Sequence, residues 1–275
     1  MTRVLVTGGR GILGSQLVPR LQAEGVTVRV SSRRAAPADK PAALEWAQAD
    51  LIETADLAPA VAGVDVIIHA ATNAIKDSRA VEEEGTRRLL QAAAQAGVQH
   101  VVYVSIIGIE KIPYYYYQAK LAGEQVVKQG GIPWTILRAA QFHDLLDIAA
   151  NGLKRLPLWP LPLDLQVQPI DSGETAARLV ELALAEPAGR VPDIAGPRVM
   201  RLREVVRQWL RATGTRRPVI HLPLPGQVAA GFRKGYNTAP DHAYGKIPWE
   251  QWLAQKYQAN PAQAGEARRQ SHVRG

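Results

Sequence analysis

The chain has 275 residues, of which 47% are hydrophobic and 21% charged, with a formal net charge of +8 and no cysteine. That balance excludes a disordered or fibrous protein, and the length suits one large α/β domain carrying a smaller lobe. Disulfides and thiol catalysis are excluded; the positive charge suits a phosphorylated cofactor as well as nucleic acid, and scattered basic residues without zinc-finger or helix-turn-helix spacing favour a solvated basic surface over DNA binding.

The opening residues lead directly into a strand, "RVLVT" (3–7), with neither the basic nor the apolar region of a signal peptide. A glycine stretch and the helix "LGSQLVPRLQAEG" follow, and Pro19 is expected to kink that helix because it removes a backbone donor. Further strands are expected at 26–31, 44–48, 65–70, 100–105 and 134–138, with "EEEGTRRLLQAAAQAG" as a helix before the fifth. Near-continuous apolar strands alternating with helices predict a Rossmann-type, doubly wound parallel sheet covered on both faces. No apolar run is long enough to span a bilayer, so a cytoplasmic protein with no membrane partner is expected.

After Arg138 the texture changes. "RLPLWPLPLDLQVQPI" (155–170) has no helical period, "SGETAARLVELALAEP" (172–187) reads as a helix, and "RVPDIAGP" as a short strand and turn. Residues 198–255 mix the helix "LREVVRQWLRATG", an extended segment and a final helix, "PWEQWLAQKY". The expected division is a dinucleotide domain from 1–140 and 170–196, and a substrate lobe from 141–169 and 197–255 laid over the carboxyl edge of the sheet. The polar tail, 256–275, is expected to be disordered.

Gly8, Gly11 and Gly14 follow the first strand and open a helix inside a βαβ unit, as a dinucleotide fingerprint requires. The loop Gly8, Gly9, Arg10, Gly11, Ile12, Leu13 and Gly14 is therefore the expected pyrophosphate cradle, with free N–H donors at the helix start. The second strand ends in "VRVSSRR", without the carboxylate that NAD-preferring sites place there. Arg33, with Ser32 or Arg10, suits a 2′-phosphate, so NADPH rather than NADH is expected.

The motifs "TGGRGILG", "GVDVIIHAA", "EEEGTRRLLQAAAQAGVQHVVYVS", "YYYYQAKLAGEQVV" and "GIPWTILRAAQFHD" together resemble the atypical, NmrA-like branch of the short-chain dehydrogenase/reductase superfamily. The resemblance spans most of residues 3–255. It implies a Rossmann domain with a small carboxyl-terminal substrate lobe, and cofactor contacts from Asp50 and Leu51 beside the adenine and from Ala70 and Ala71. It also implies a Tyr-x-x-x-Lys catalytic pair, which Tyr116 and Lys120 match, and a serine, for which Ser105 is the candidate.

Tyr116 and Lys120 share a helix face one turn apart. The lysine is expected to lower the phenol pKa and to hold the nicotinamide ribose, while Tyr116 protonates a substrate oxygen. Tyr117 is the competitor on that face; Tyr114 and Tyr115 are expected to pack or cap. The catalytic serine of extended relatives falls later, where this chain has Ile106 and Ile107, and Glu82 stands where those relatives have asparagine.

Phe142, His143 and Trp159 are expected to line the substrate pocket, with "LPLWPLPL" either a wall of that pocket or a proline-stiffened connection, and His69 to be a packed residue near the cofactor. The histidines show no ligand spacing, so no metal is expected, and there is no GxSxG elbow. The leading reading is an NADPH-dependent oxidoreductase acting on a small hydrophobic carbonyl, quinone or conjugated compound. The alternative is a non-catalytic NADP(H)-binding redox sensor; a sugar epimerase lacks its polar substrate signature. Monomer and homodimer both stay open.

Overall fold

A computed structural model describes residues 2–73 and 77–257. The strands are β1 (Arg3–Thr7), β2 (Thr27–Ser32), β3 (Glu45–Gln48), β4 (Val66–His69), β5 (His100–Ile106), β6 (Trp134–Ala139), β7 (Trp159–Leu161), β8 (Gln166–Val167), β9 (Gly189–Arg190), β10 (Met200–Arg201) and β11 (Val219–His221). The α-helices are α1 (Ile12–Ala23), α2 (Ala58–Val61), α3 (Thr86–Gln95), α4 (Tyr115–Gln129), α5 (His143–Leu153), α6 (Ser172–Leu184), α7 (Leu202–Thr213), α8 (Gln227–Arg233) and α9 (Trp249–Tyr257). The chain forms two compact units, one from residues 1–139 and 172–193 and the other from 140–171 and 194 onward.

The first unit is a seven-stranded sheet in the order β3-β2-β1-β4-β5-β6-β9, with every pairing parallel. Helices α1 and α6 pack together as one group, and α2, α3 and α4 pack in succession as another, the arrangement of a doubly wound Rossmann fold. Val4, Leu5, Val6, Ile67, Ile68, Val101 and Val102 are wholly buried, which explains why these strands show no polar alternation. Leu5, Ile67, Val101, Tyr103 and Ile136 share one core cluster with Leu89 and Leu90 of α3 and Val127 of α4. The strand order reverses between β1 and β4, the switch point beside which such sheets bind ligands.

Helix α1 runs on through Pro19. The stretch expected to be one helix from 82 is two elements, a π-helical turn at Ala80–Gly85 that passes directly into α3. A π-turn carries one extra residue per turn and re-aims side chains, a device frequent at functional sites.

In the second unit β7 pairs parallel with β11, and β8 antiparallel with β10. Its core holds Trp159, Trp209, Trp249 and Trp252, with the last two stacked at 5.3 Å. Two of its helices, α5 and α8, fall in stretches for which the sequence pattern predicts none. Of the tail expected to be disordered, Lys256 and Tyr257 complete α9 and the rest lies outside the described residues. Among the described residues no helix is long and apolar enough to cross a membrane.

Candidate functional site

The glycine loop follows β1 and faces the segment after β4. Gly8 has φ +68°, and a Cβ there would lie 2.9 Å from the backbone of Ala70 and Ala71, so only glycine permits this approach. A Cβ on Gly14 would fall 2.4 Å from Gly8 O and Gly9 Cα, and one on Gly9 would strike Val30. Gly11 precedes α1 in extended backbone without a side-chain cap, and no acidic residue stands in the first turn. The loop thus keeps backbone N–H donors and a favourable dipole at the helix start for an anion. These residues fit a dinucleotide pyrophosphate.

At the end of β2, Arg33 is 74% exposed in its side chain and its Nε lies 3.8 Å from Asp50 Oδ2. Asp50 Oδ1 accepts the backbone N–H of Ile52 and Glu53, so this carboxylate caps its own turn and Leu51 packs into the core. Arg34 N–H donates to the Ser32 hydroxyl at 3.2 Å.

A buried polar network connects β1, β4, the π-turn, β5 and α4. Thr7 Oγ1 accepts N–H groups from Ala70 and Ala71, so its own proton goes to His69 Nδ1 at 2.7 Å. The remaining ring N–H, on Nε2, then donates to Thr86 Oγ1 at 3.0 Å. Burial, with a further push from Lys120, lowers the His69 pKa to about 4 against the pull of Glu82, and the ring is neutral. His69 is therefore a packed residue that holds the segment behind Gly8.

Glu82 is fully buried and accepts three donors: Thr72 Oγ1 at 2.5 Å, Tyr103 Oη at 2.6 Å and Lys120 Nζ at 3.0 Å. Burial opposes its charge, but Lys120 and the hydrogen bonds from Thr72 and Tyr103 outweigh it, so the carboxyl stays below its ordinary pKa. Lys120 also stands 4.1 Å over the Tyr103 ring. Gly123 makes room for this packing: a Cβ there would lie 2.2 Å from Tyr103 Oη and 2.9 Å from Glu82 O.

Tyr116 Oη lies 2.8 Å from Thr72 Oγ1. Since the Thr72 proton is committed to Glu82, the phenol is the donor in this pair. Of the four tyrosines, Tyr117 is buried, Tyr114 and Tyr115 are exposed at 41% and 56%, and Tyr116 is half-buried with its hydroxyl in the network.

The expected electrostatics are corrected by this geometry. Lys120 does not lower the Tyr116 pKa, because its charge is matched by Glu82; burial first, then Glu82, raises the phenol pKa well above its ordinary value. Ser105 is also placed otherwise than expected. It shares the face of β5 that carries Tyr103, two residues on, and donates to Glu124 Oε1 at 2.6 Å. That carboxylate is clamped by Arg138 Nε at 2.7 Å, so the Ser105 hydroxyl is spent on a buried ion pair.

In the second unit the expected pocket residues divide. Trp159 is wholly buried 5.7 Å from Trp209, which makes it a core residue and not a wall; Leu156, Pro157, Leu158 and Pro160 are the exposed members of that stretch. His143 is wholly buried at the start of α5, bonded through Nε2 to Ile247 O at 3.0 Å and packed on Trp249 and Trp252. Phe142 is half-buried and bridges Ile170. Thr7 and Tyr103 fall inside family motifs that assign them no role, Thr72 lies outside those motifs, and Glu82 is marked in the sequence only by standing where relatives have asparagine.

The sequence profile of an NAD(P)H-binding family matches residues 8–153, more than half of the chain. The protein belongs to this NAD(P)H-binding family, within the atypical, NmrA-like branch of the short-chain dehydrogenases/reductases. It is 30% identical over 216 residues to a (4-alkanoyl-5-oxo-2,5-dihydrofuran-3-yl)methyl phosphate reductase of Streptomyces griseus, covering 77% of this chain and 74% of that protein. It is 27% identical over 262 residues to a photosystem II assembly factor of Cyanophora paradoxa, covering 89% and 80%. The fold is that of an NADPH-dependent quinone oxidoreductase of Escherichia coli solved with NADPH, with TM-score 0.73 and 17% identity over 92% of this chain and 99% of that one.

Proposed function

We propose that the protein binds NADPH and reduces a small, apolar carbonyl, quinone or conjugated substrate, with Tyr116 as the proton donor. The observation that carries this reading is that one short segment, Ala70 to Thr72, meets both the glycine turn and the Tyr116 hydroxyl. A dinucleotide held by the loop would then lie at the same switch point as a phenol able to donate a proton. The glycine loop and the α1 N-terminus would hold the pyrophosphate, Arg33 with Ser32 or Arg10 the 2′-phosphate, and Lys120 the ribose. The bound cofactor would supply the hydride. Tyr116 remains protonated at neutral pH, the form that an acid requires. The likeness in sequence to a reductase and in fold to a quinone oxidoreductase supports this class of chemistry.

A second reading is a dinucleotide-binding regulator or assembly factor without turnover. It is favoured by the commitment of Lys120 to Glu82 and by the likeness to an assembly factor over most of the chain. Titration calorimetry with both cofactors, followed by NADPH consumption across quinones, aldehydes and enones, tests the two. NADPH is expected to bind about 10- to 100-fold more tightly than NADH, since a charge-assisted contact is worth about 1.5–3 kcal/mol, and Arg33→Ala should erase the difference. Equal affinities overturn the cofactor assignment; tight binding with no consumption on any substrate favours the regulator.

A further inference from the structure

The hydroxyl that the family pattern supplies as a serine must come from elsewhere, because Ser105 is bound to Glu124. A different hydroxyl stands beside the phenol: Thr72 Oγ1, 2.8 Å from Tyr116 Oη and 2.5 Å from Glu82 Oε1. All the protons of this chain point one way, from Tyr116 to Thr72 and from Thr72 to Glu82. The groups facing Glu82 are Lys120, Thr72, Tyr103 and His69; those facing Tyr116 are Glu82 through Thr72, Tyr103 from β5, and Tyr114 and Tyr117 from its own end of α4.

We propose that Thr72 and Glu82 are positioning residues for Tyr116: Glu82 matches the charge of Lys120 and keeps the proton on the phenol, and the Thr72 hydroxyl serves the phenolate when that proton leaves. The proposal rests on the reading of Tyr116 as proton donor. In the reduction, hydride supplied by bound NADPH, which is oxidised to NADP+, would add to the substrate carbon, the C=O π bond would open, and the Tyr116 proton would go to the oxygen. The Thr72 O–H then turns from Glu82 Oε1 to the phenolate oxygen, and solvent water restores the phenol proton. No proton is drawn from Glu82, whose carboxylate stays ionised. Its partner Lys120 would become the counter-charge of the phenolate if Glu82 were neutral, because a buried ammonium requires an anion.

Two measurements test this. Thr72→Val removes the hydroxyl at nearly constant volume; kcat is expected to fall about 10- to 100-fold, the loss of one hydrogen bond to a charged group, with NADPH affinity unchanged. Thr72→Ser should recover most of the rate, which a merely structural role would not require. Glu82→Gln is followed by absorbance titration of phenolate, subtracting the same variant carrying Tyr116→Phe. Tyr116 is expected to ionise below about pH 10 in Glu82→Gln and not with Glu82 intact. Undiminished kcat in Thr72→Val, or no new ionisation in folded Glu82→Gln, overturns the proposal; if Glu82→Gln does not fold, Thr72→Val and Thr72→Ser decide. The titration needs no turnover. A moved Tyr116 ionisation in a protein that consumes no NADPH would retain the electrostatic link and reject the reductase reading.

Discussion

Glu82 in the Rossmann unit and Asp147 in the smaller unit are both almost wholly buried, and each gathers a lysine and an aromatic hydroxyl. Asp147 accepts Trp209 Nε1 at 2.6 Å and Tyr257 Oη at 2.5 Å, with Lys256 Nζ at 2.9 Å. Asn151 closes the group by donating both to Tyr257 Oη and to Asp147 O. Among the described residues these contacts join Asp147 and Asn151 of α5, Trp209 of α7, and Lys256 and Tyr257 of α9, so the cluster fastens the three helices. The Glu82 cluster is open at one end. Its lysine is 4% exposed against 36% for Lys256, and one branch leads through Thr72 to the half-buried Tyr116. A closed ring of hydrogen bonds joins helices; an open chain delivers the field of a buried charge to a hydroxyl that a ligand can reach.

The sharpest way to break this contrast is to remove one hydroxyl from each cluster. Tyr116→Phe is expected to lower kcat about 10²–10⁴-fold with little change in NADPH affinity, as loss of a general acid does, while Tyr257→Phe leaves kcat unchanged and costs about 1 kcal/mol of stability. Equal effects on rate would abolish the distinction. The carboxylates themselves come next. Glu82→Gln leaves Lys120 buried without a counter-charge and should cost about 3–5 kcal/mol, measured by urea unfolding. Asp147→Asn should cost less, about 1–2 kcal/mol, since the amide oxygen still accepts a hydrogen bond and Lys256 can turn to water. The reverse order would mean that Asp147, not Glu82, holds the more isolated charge.

Much of the sheet and the glycine loop was legible in the sequence because their signals are local. Apolar runs mark strands buried on both faces, and Gly8, Gly11 and Gly14 stand within one turn of chain. Tyr116 could be chosen over Tyr114 and Tyr115 because an i, i+4 relation to Lys120 is also local. The lysine's partner could not be chosen that way: Glu82 is 38 residues distant and is presented by a π-turn that no apolar period announces. Thr72 is 44 residues from the phenol it meets. The upward Tyr116 shift comes first from burial and then from Glu82, neither of which the local spacing to Lys120 reveals. Gly123 likewise stands in a helix for a reason no local pattern shows, the Tyr103 hydroxyl packed against it. In the smaller unit, prolines and leucines hid the helical period of α5's surroundings, and Trp159 carries the same signature whether it walls a pocket or fills a core.

The smallest expected effect concerns pH. His69 belongs to the open cluster: it is wholly buried, neutral, and titrates at about 4 instead of its ordinary 6.5, first through burial. The unfolded chain takes up this proton near pH 6.5 and the folded chain only near 4, so between those values the unfolded state binds more protons. Stability is therefore unaffected by this group above about pH 6.5 and falls as pH drops through the window. From pH 7 to pH 5 the loss attributable to His69 is about 2 kcal/mol, one and a half pH units at about 1.36 kcal/mol each. His100, also held below its ordinary pKa by burial, adds a loss of the same sign. Urea midpoints at the two pH values, for the protein and for His69→Gln, separate them: the variant should be less stable at pH 7 and lose about 2 kcal/mol less on acidification. The same acid sensitivity in both proteins would mean that His69 is not the buried neutral ring behind the glycine turn.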